Sequence, residues 1–173
     1  VAGYKFIPGF INDYKYNKAV TLFESGKFDA AAVAFAELDD YKDSEDKCNE
    51  SIYNKASKLE EEKKFNEAIT EYKSLGDYKD CDIRIQSCTY SQAKAEMDKG
   101  NFDEATKLFK AIAEYGDSST MITECTYRSA LKHIENKEVS EAIELLNTIA
   151  DYSDAQEKIN EAKYVYVTEN FDA

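Results

Sequence analysis

Apolar side chains recur along this chain at helical spacing, in stripes of two lengths that alternate. From Ser44 to Glu62 the groups Cys48, Ile52, Ala56 and Leu59 stand four, four and three apart, which lines one face of an α-helix. A shorter stripe follows at Ala68, Tyr72 and Leu75, and is echoed by Ala105, Phe109 and Ile112 and by Ala142, Leu146 and Ile149. Residue types that cap helix N-termini stand ahead of both kinds: Asp43, Asp80, Asp117 and Asp154 before the long stripes, Asp29, Asn66, Asp103 and Ser140 before the short ones. The first long helix is expected over Ile11 to Ser25, with Pro8 near its start, where proline is tolerated, and a short one over Asp29 to Leu38. The pattern predicts nine alternating helices with turns near 26–28, 63–65, 100–102 and 136–138.

The pattern also has a fixed period. Tyrosines fall at Tyr16, Tyr53, Tyr90, Tyr127 and Tyr164, and a second series at Tyr41, Tyr78, Tyr115 and Tyr152, both every 37 residues. A constant period of this size marks units that bury their apolar faces against their neighbours. The expected fold is all-α: an α-solenoid of tandem helix-turn-helix repeats, about four of them, plus a C-terminal capping helix. Residues 1–10 read as a lead-in and 11–173 as the array, with units starting near Tyr16, Tyr53, Tyr90 and Tyr127 and a final helix from Tyr164, where Phe171 keeps the register of Phe23 and Ile134. Tyr4 lies one period before Tyr41, although Phe6 and Ile7 break that register. A tyrosine two places before each capping aspartate is expected to fold onto the following helix as a hydrophobic staple.

The segments GKFDAA (26–31), KFNEAI (64–69) and GNFDEA (100–105) resemble the core of the tetratricopeptide repeat, over about residues 11–173. Ala19, Ala56, Ala93 and Ala130 fall at that family's small position, and Phe35, Tyr72, Phe109 and Leu146 at its large one. The period is 37 rather than 34, and the family's closing proline is replaced by LGDYKD (75–80) and its relatives. This variant resembles repeats of Gram-positive bacterial proteins that often accompany a zinc ribbon and a single membrane helix. The resemblance implies a protein–protein scaffold, and a cell-envelope location with an anchor in a missing N-terminal segment; a cytoplasmic location is the alternative.

Charge narrows the partners. The 35 acidic and 22 basic side chains leave a formal charge of −13, which repels a nucleic-acid backbone or an anionic membrane surface. Val1 in place of a methionine, with no signal-peptide pattern behind it, suggests an excised piece. Cys48, Cys81, Cys88 and Cys125 form no CxxC pair and have one histidine, His133, for company, so they read as small buried thiols and not as metal ligands. Cys88 and Cys125 share a repeat position on successive helices, too far apart for a bridge. No catalytic constellation, metal cluster or phosphate loop stands out, so neither enzyme activity nor a cofactor is expected.

The candidate site is a stripe on the long helices. Asp13 with Glu24, Glu50 with Glu61, Glu124 with Glu135, and Glu161 with Asp172 are pairs eleven residues apart, three turns and hence one face; the third unit has Ser87 and Asp98. The residues proposed to meet a partner are Glu50, Tyr53, Glu61, Tyr90, Asp98, Glu124, Tyr127 and Glu135. The bland reading is a solvated face, with tyrosines that pack between repeats and hydrogen-bond at their tips. The functional reading is an acidic, tyrosine-lined concave face that takes a basic peptide or a subunit, and the alternative is a structural spacer or stalk without a specific ligand.

Overall fold

The computed structural model describes residues 8–171, with side chains over 9–168, so Tyr4, Phe6, Ile7, Asp172 and the side chain of Phe171 lie outside the described residues. Among the described residues the chain forms nine α-helices and no strand. The long helices are α1 (Pro8–Glu24), α3 (Ser44–Glu61), α5 (Cys81–Asp98), α7 (Ser118–Glu135) and α9 (Ala155–Phe171). Between them run the short helices α2 (Phe28–Ala36), α4 (Phe65–Ser74), α6 (Phe102–Ala111) and α8 (Val139–Asn147). Helix α1 thus begins inside the stretch read as a lead-in. None of the described helices is long and apolar enough to cross a membrane.

The chain divides into two compact units, Val1–Cys88 and Thr89–Ala173, the boundary falling within α5. In the first unit α1 packs on α2, α2 on α3 and α3 on α4. In the second, α6 packs on α7, α7 on α8 and α8 on α9. Small residues make the close approaches: Ala19, Ala56, Ala93 and Ala130 on the long helices and Ala31, Ala68, Ala105 and Ala142 on the short ones have no exposed surface. Phe35, Tyr72, Phe109 and Leu146 fill the space beside them and are equally buried.

The buried line of α3 is rotated from the one read in the sequence. Cys48, Ile52 and Leu59 are only half-buried, whereas Ser44, Ser51 and Ala56 are fully enclosed. Volume decides here rather than hydropathy, because the two hydroxyls are satisfied locally: Ser44 Oγ donates to the Tyr41 carbonyl at 2.6 Å and Ser51 Oγ to the Lys47 carbonyl at 2.7 Å.

The first four long helices are each followed closely by a left-handed residue. Gly26, Lys63, Gly100 and Lys137 have φ between 59° and 77°. The next amide reaches back five residues, as in Lys27 N to Leu22 O at 3.0 Å and Lys64 N to Leu59 O at 2.9 Å, which is the Schellman closure. This turn shifts the start of each short helix. The N-cap residues are Lys27, Lys64, Asn101 and Glu138, none with a capping side-chain hydrogen bond. Asp29, Asn66, Asp103 and Ser140, expected as caps, lie two positions further on, inside the first turn.

Candidate functional site

The first tyrosine series is a set of hydrogen bonds between elements 27 residues apart. Tyr16 on α1 donates to Asp43 Oδ1 at 2.5 Å, Tyr53 on α3 to Asp80 at 2.5 Å, and Tyr90 on α5 to Asp117 at 2.6 Å. Tyr127 on α7 does the same to Asp154. Each ring is half-buried, and those of Tyr16, Tyr53 and Tyr90 lie edge-on to Phe35, Tyr72 and Phe109 with centroids 5.8, 5.6 and 5.4 Å apart. These contacts replace the capping role expected for Asp43 and Asp117. Asp43 and Asp117 do occupy N-cap positions, but with ψ near 28° and 22° instead of the extended backbone of a capping residue, and neither makes a side-chain cap bond. The phenols hold the Asp43 and Asp80 carboxyls below the usual range. Asp117 in turn pushes Tyr90 up to about 12.

The second series leans on the first. Tyr41, Tyr78, Tyr115 and Tyr152 lie 6.3, 6.1, 6.0 and 5.6 Å from Tyr16, Tyr53, Tyr90 and Tyr127, ring centroid to ring centroid. Tyr41 donates to Asp13 Oδ1 at 2.8 Å and Tyr152 donates to Glu124. These tyrosines therefore fold back onto the long helix of their own repeat, not onto the following one as a staple would. The residue after each of them turns the chain: Lys42, Lys79, Gly116 and Ser153 have φ of 56°, 50°, 58° and 52°. Where that residue is lysine, its ammonium lies over both rings. Lys42 Nζ is 4.6 Å from the Tyr16 centroid, 5.2 Å from that of Tyr41 and 2.6 Å from Asp13 Oδ1. Lys79 repeats this at 4.7 Å from Tyr53, 5.1 Å from Tyr78 and 3.9 Å from Glu50.

The acids of the stripe separate into two groups. Glu50 is half-buried and ion-paired to Lys47 at 2.7 Å as well as to Lys79, and Glu124 takes both Tyr152 and Arg128. The members nearer the helix ends, Glu24, Glu61, Asp98 and Glu135, are exposed and make no ion pair among the described residues. Glu135 borders a shallow depression with Lys158, Glu161 and Val165. Tyr53, Tyr90 and Tyr127 have their hydroxyls engaged, and Lys79 already lies over the Tyr53 ring, which leaves the rings of Tyr90 and Tyr127 to meet a partner.

A polar network in the first unit carried no local signal in the sequence. Tyr72 is fully buried and donates to Glu60 Oε2 at 3.0 Å; Arg84 lies 3.6 Å from Glu60 and 3.1 Å from Asp80. Burial and the Glu60 carboxylate together raise the Tyr72 phenol. Lys55 bridges Asp29 at 2.6 Å and Glu71 at 2.8 Å. All four cysteines are free, and burial pushes the Cys88 thiol up to about 11, which makes it unreactive. His133 Nδ1 lies 2.6 Å from Glu138 Oε2. No cluster of potential metal ligands occurs among the described residues. No family model matches the chain, and no curated protein matches it either.

Proposed function

We propose that the chain is an α-solenoid of tetratricopeptide-like repeats that serves as a protein–protein interaction scaffold and binds a basic peptide or subunit. The 37-residue recurrence of the same helix pairs, small residues and tyrosine contacts in both units supports the architecture. The observation that carries the function is the set Glu61, Asp98 and Glu135, exposed and without an ion pair among the described residues, in a protein of charge −13. Such carboxylates attract cations over about 8 Å at physiological ionic strength. The role assigned is binding, with no catalytic part for any side chain. The test is titration of basic and acidic peptide pools against wild type and a Glu61→Lys, Asp98→Lys, Glu135→Lys variant. Selective binding of basic peptides, lost in the variant and weakened by salt, is the expected result. Equal binding by both proteins, or a preference for acidic peptides, would discard it.

A second reading, a structural spacer, draws on a different observation. Asp13, Glu50, Glu124 and every ladder tyrosine hydroxyl with a known acceptor are consumed inside the fold, as befits a surface built for rigidity. The two readings diverge on the same titration, since a spacer binds neither pool.

A further inference from the structure

The four tyrosine pairs are built alike but are not equally filled. In the first two repeats the left-handed residue behind the second tyrosine is Lys42 or Lys79, and its ammonium lies over both rings of the pair and against the acid at the start of the long helix, Asp13 or Glu50. In the fourth repeat that residue is Ser153, at φ 52°, which carries no charge and sets its hydroxyl beside the Tyr127 phenol instead of an ammonium over the rings. The rest of the seat remains: Tyr127 and Tyr152 lie 5.6 Å apart, both half-buried, with Glu124 at the tip of Tyr152 and paired to Arg128 on its own helix, as Glu50 is paired to Lys47 beside the Lys79 seat. Among the described residues no cation lies over either ring. The third repeat keeps the rings of Tyr90 and Tyr115 but has Gly116 for the lysine and Ser87 for the acid.

We propose that Tyr127, Tyr152 and Glu124 form a seat for a lysine ammonium supplied by a partner protein, the place that the chain fills with its own lysine in the first two repeats. This rests on the basic-partner reading above and names where one of the partner's charges is held. Ring faces attract an ammonium through their quadrupole, and a carboxylate at the ring tip adds a charge-assisted hydrogen bond. Charge favours the same half of the chain, since residues 89–173 carry 17 acidic against 9 basic side chains and residues 1–88 carry 18 against 13. The pair Tyr90–Tyr115, lacking the acid, is the weaker seat.

The probe is a hexalysine peptide, followed through the tyrosine ring resonances of the whole chain. Binding should shift the rings of Tyr127 and Tyr152 most, those of Tyr90 and Tyr115 less, and leave the lysine-covered pairs of the first two repeats unmoved. Ser153→Lys should fill the seat from within. Its own lysine methylenes should then show the upfield ring-current shift expected also of Lys42 and Lys79, which reports folding and geometry independently of the probe. That variant should lower hexalysine affinity by about threefold, the size of one exposed cation–π contact. The control for added charge is Asn147→Lys, an exposed position where the neighbouring repeats already carry Lys73 and Lys110. Equal affinity in Ser153→Lys and Asn147→Lys, or binding that leaves the Tyr127 and Tyr152 rings unmoved, would overturn the seat and leave the basic-partner reading standing. Failure of hexalysine to bind at all would overturn both.

Discussion

Deleting one phenol from the ladder should cost about 1 kcal/mol, and that cost should vanish when its aspartate is already gone. Tyr90→Phe is the cleanest case, because the ring keeps its contacts with Phe109 at 5.4 Å and Tyr115 at 6.0 Å and loses only the 2.6 Å bond to Asp117. A hydrogen bond to a charged acceptor is worth about 1.5–3 kcal/mol where water is excluded; the exposed Asp117 keeps water at hand, so about 1 kcal/mol is expected. Asp117→Ala should cost somewhat more, since it also removes a negative charge from the N-terminus of α7, worth about 0.3–1 kcal/mol. Urea unfolding of the two single variants and the double should therefore give a coupling near 1 kcal/mol, or about 2–4 °C in Tm for each single loss of that size. Alkali supplies an independent check. Tyr90 is raised from about 10 to about 12, so its contribution is fully present below pH 10 and fades as pH climbs through 12. Wild type should lose stability over that window faster than Tyr90→Phe, with phenolate absorbance lagging that of free tyrosine. A coupling below about 0.3 kcal/mol, the additivity limit, would refute the assignment.

Ala93→Leu forces three extra carbons into a fully buried position beside Phe109 and should lower the urea midpoint by an amount worth about 1–3 kcal/mol; an unchanged midpoint would show that the helices there can part without cost. Lys63→Gly should stabilise by about 0.5–1 kcal/mol, because φ of 59° costs an L-residue about 1–2 kcal/mol and glycine returns part of that through its freer unfolded chain; thermal unfolding measures it. On the acid side the Asp13, Asp43, Asp80 and Glu124 carboxyls are depressed, the first by Lys42 and the others by tyrosine hydroxyls. Their contribution is present above pH about 4 and lost as pH falls through the folded values, so an acid titration followed by circular dichroism should show stability dropping below pH 4, less steeply in Asp43→Asn.

Helix number, order and length were legible in the sequence because two tyrosine series and an apolar stripe repeat in one register, and periodicity is a local property. What escaped was set by distance. An aspartate one residue ahead of a helix satisfies every local rule for a cap, yet its carboxylate is claimed by a phenol 27 residues earlier, a constant offset present in all four repeats from Tyr16–Asp43 to Tyr127–Asp154. That offset was the available signal. The enclosed serines, Ser44, Ser51 and Ser118, escaped for another reason: hydropathy passes over them, whereas close packing selects for small volume and a carbonyl three or four residues back takes each hydroxyl. The candidate acids were found as a stripe, but eleven-residue spacing cannot tell the end that meets the Tyr-Lys-Asp turn from the end that meets solvent.

That division among the acids decides which variants can speak about binding. Glu50 and Glu124 each hold neighbouring cations, and Glu124 also a tyrosine, so replacing either disturbs the fold around α3 or α7 before it disturbs a partner. Glu61, Asp98 and Glu135 are exposed and form no ion pair among the described residues, so their loss should leave the unfolding midpoint within about 0.5 kcal/mol, as for surface changes generally. A charge-reversed triple variant with unchanged stability and lost affinity for basic peptides would separate binding from folding. If instead its stability fell by several kcal/mol, those carboxylates would be structural after all, and the scaffold reading would lose the observation on which it rests.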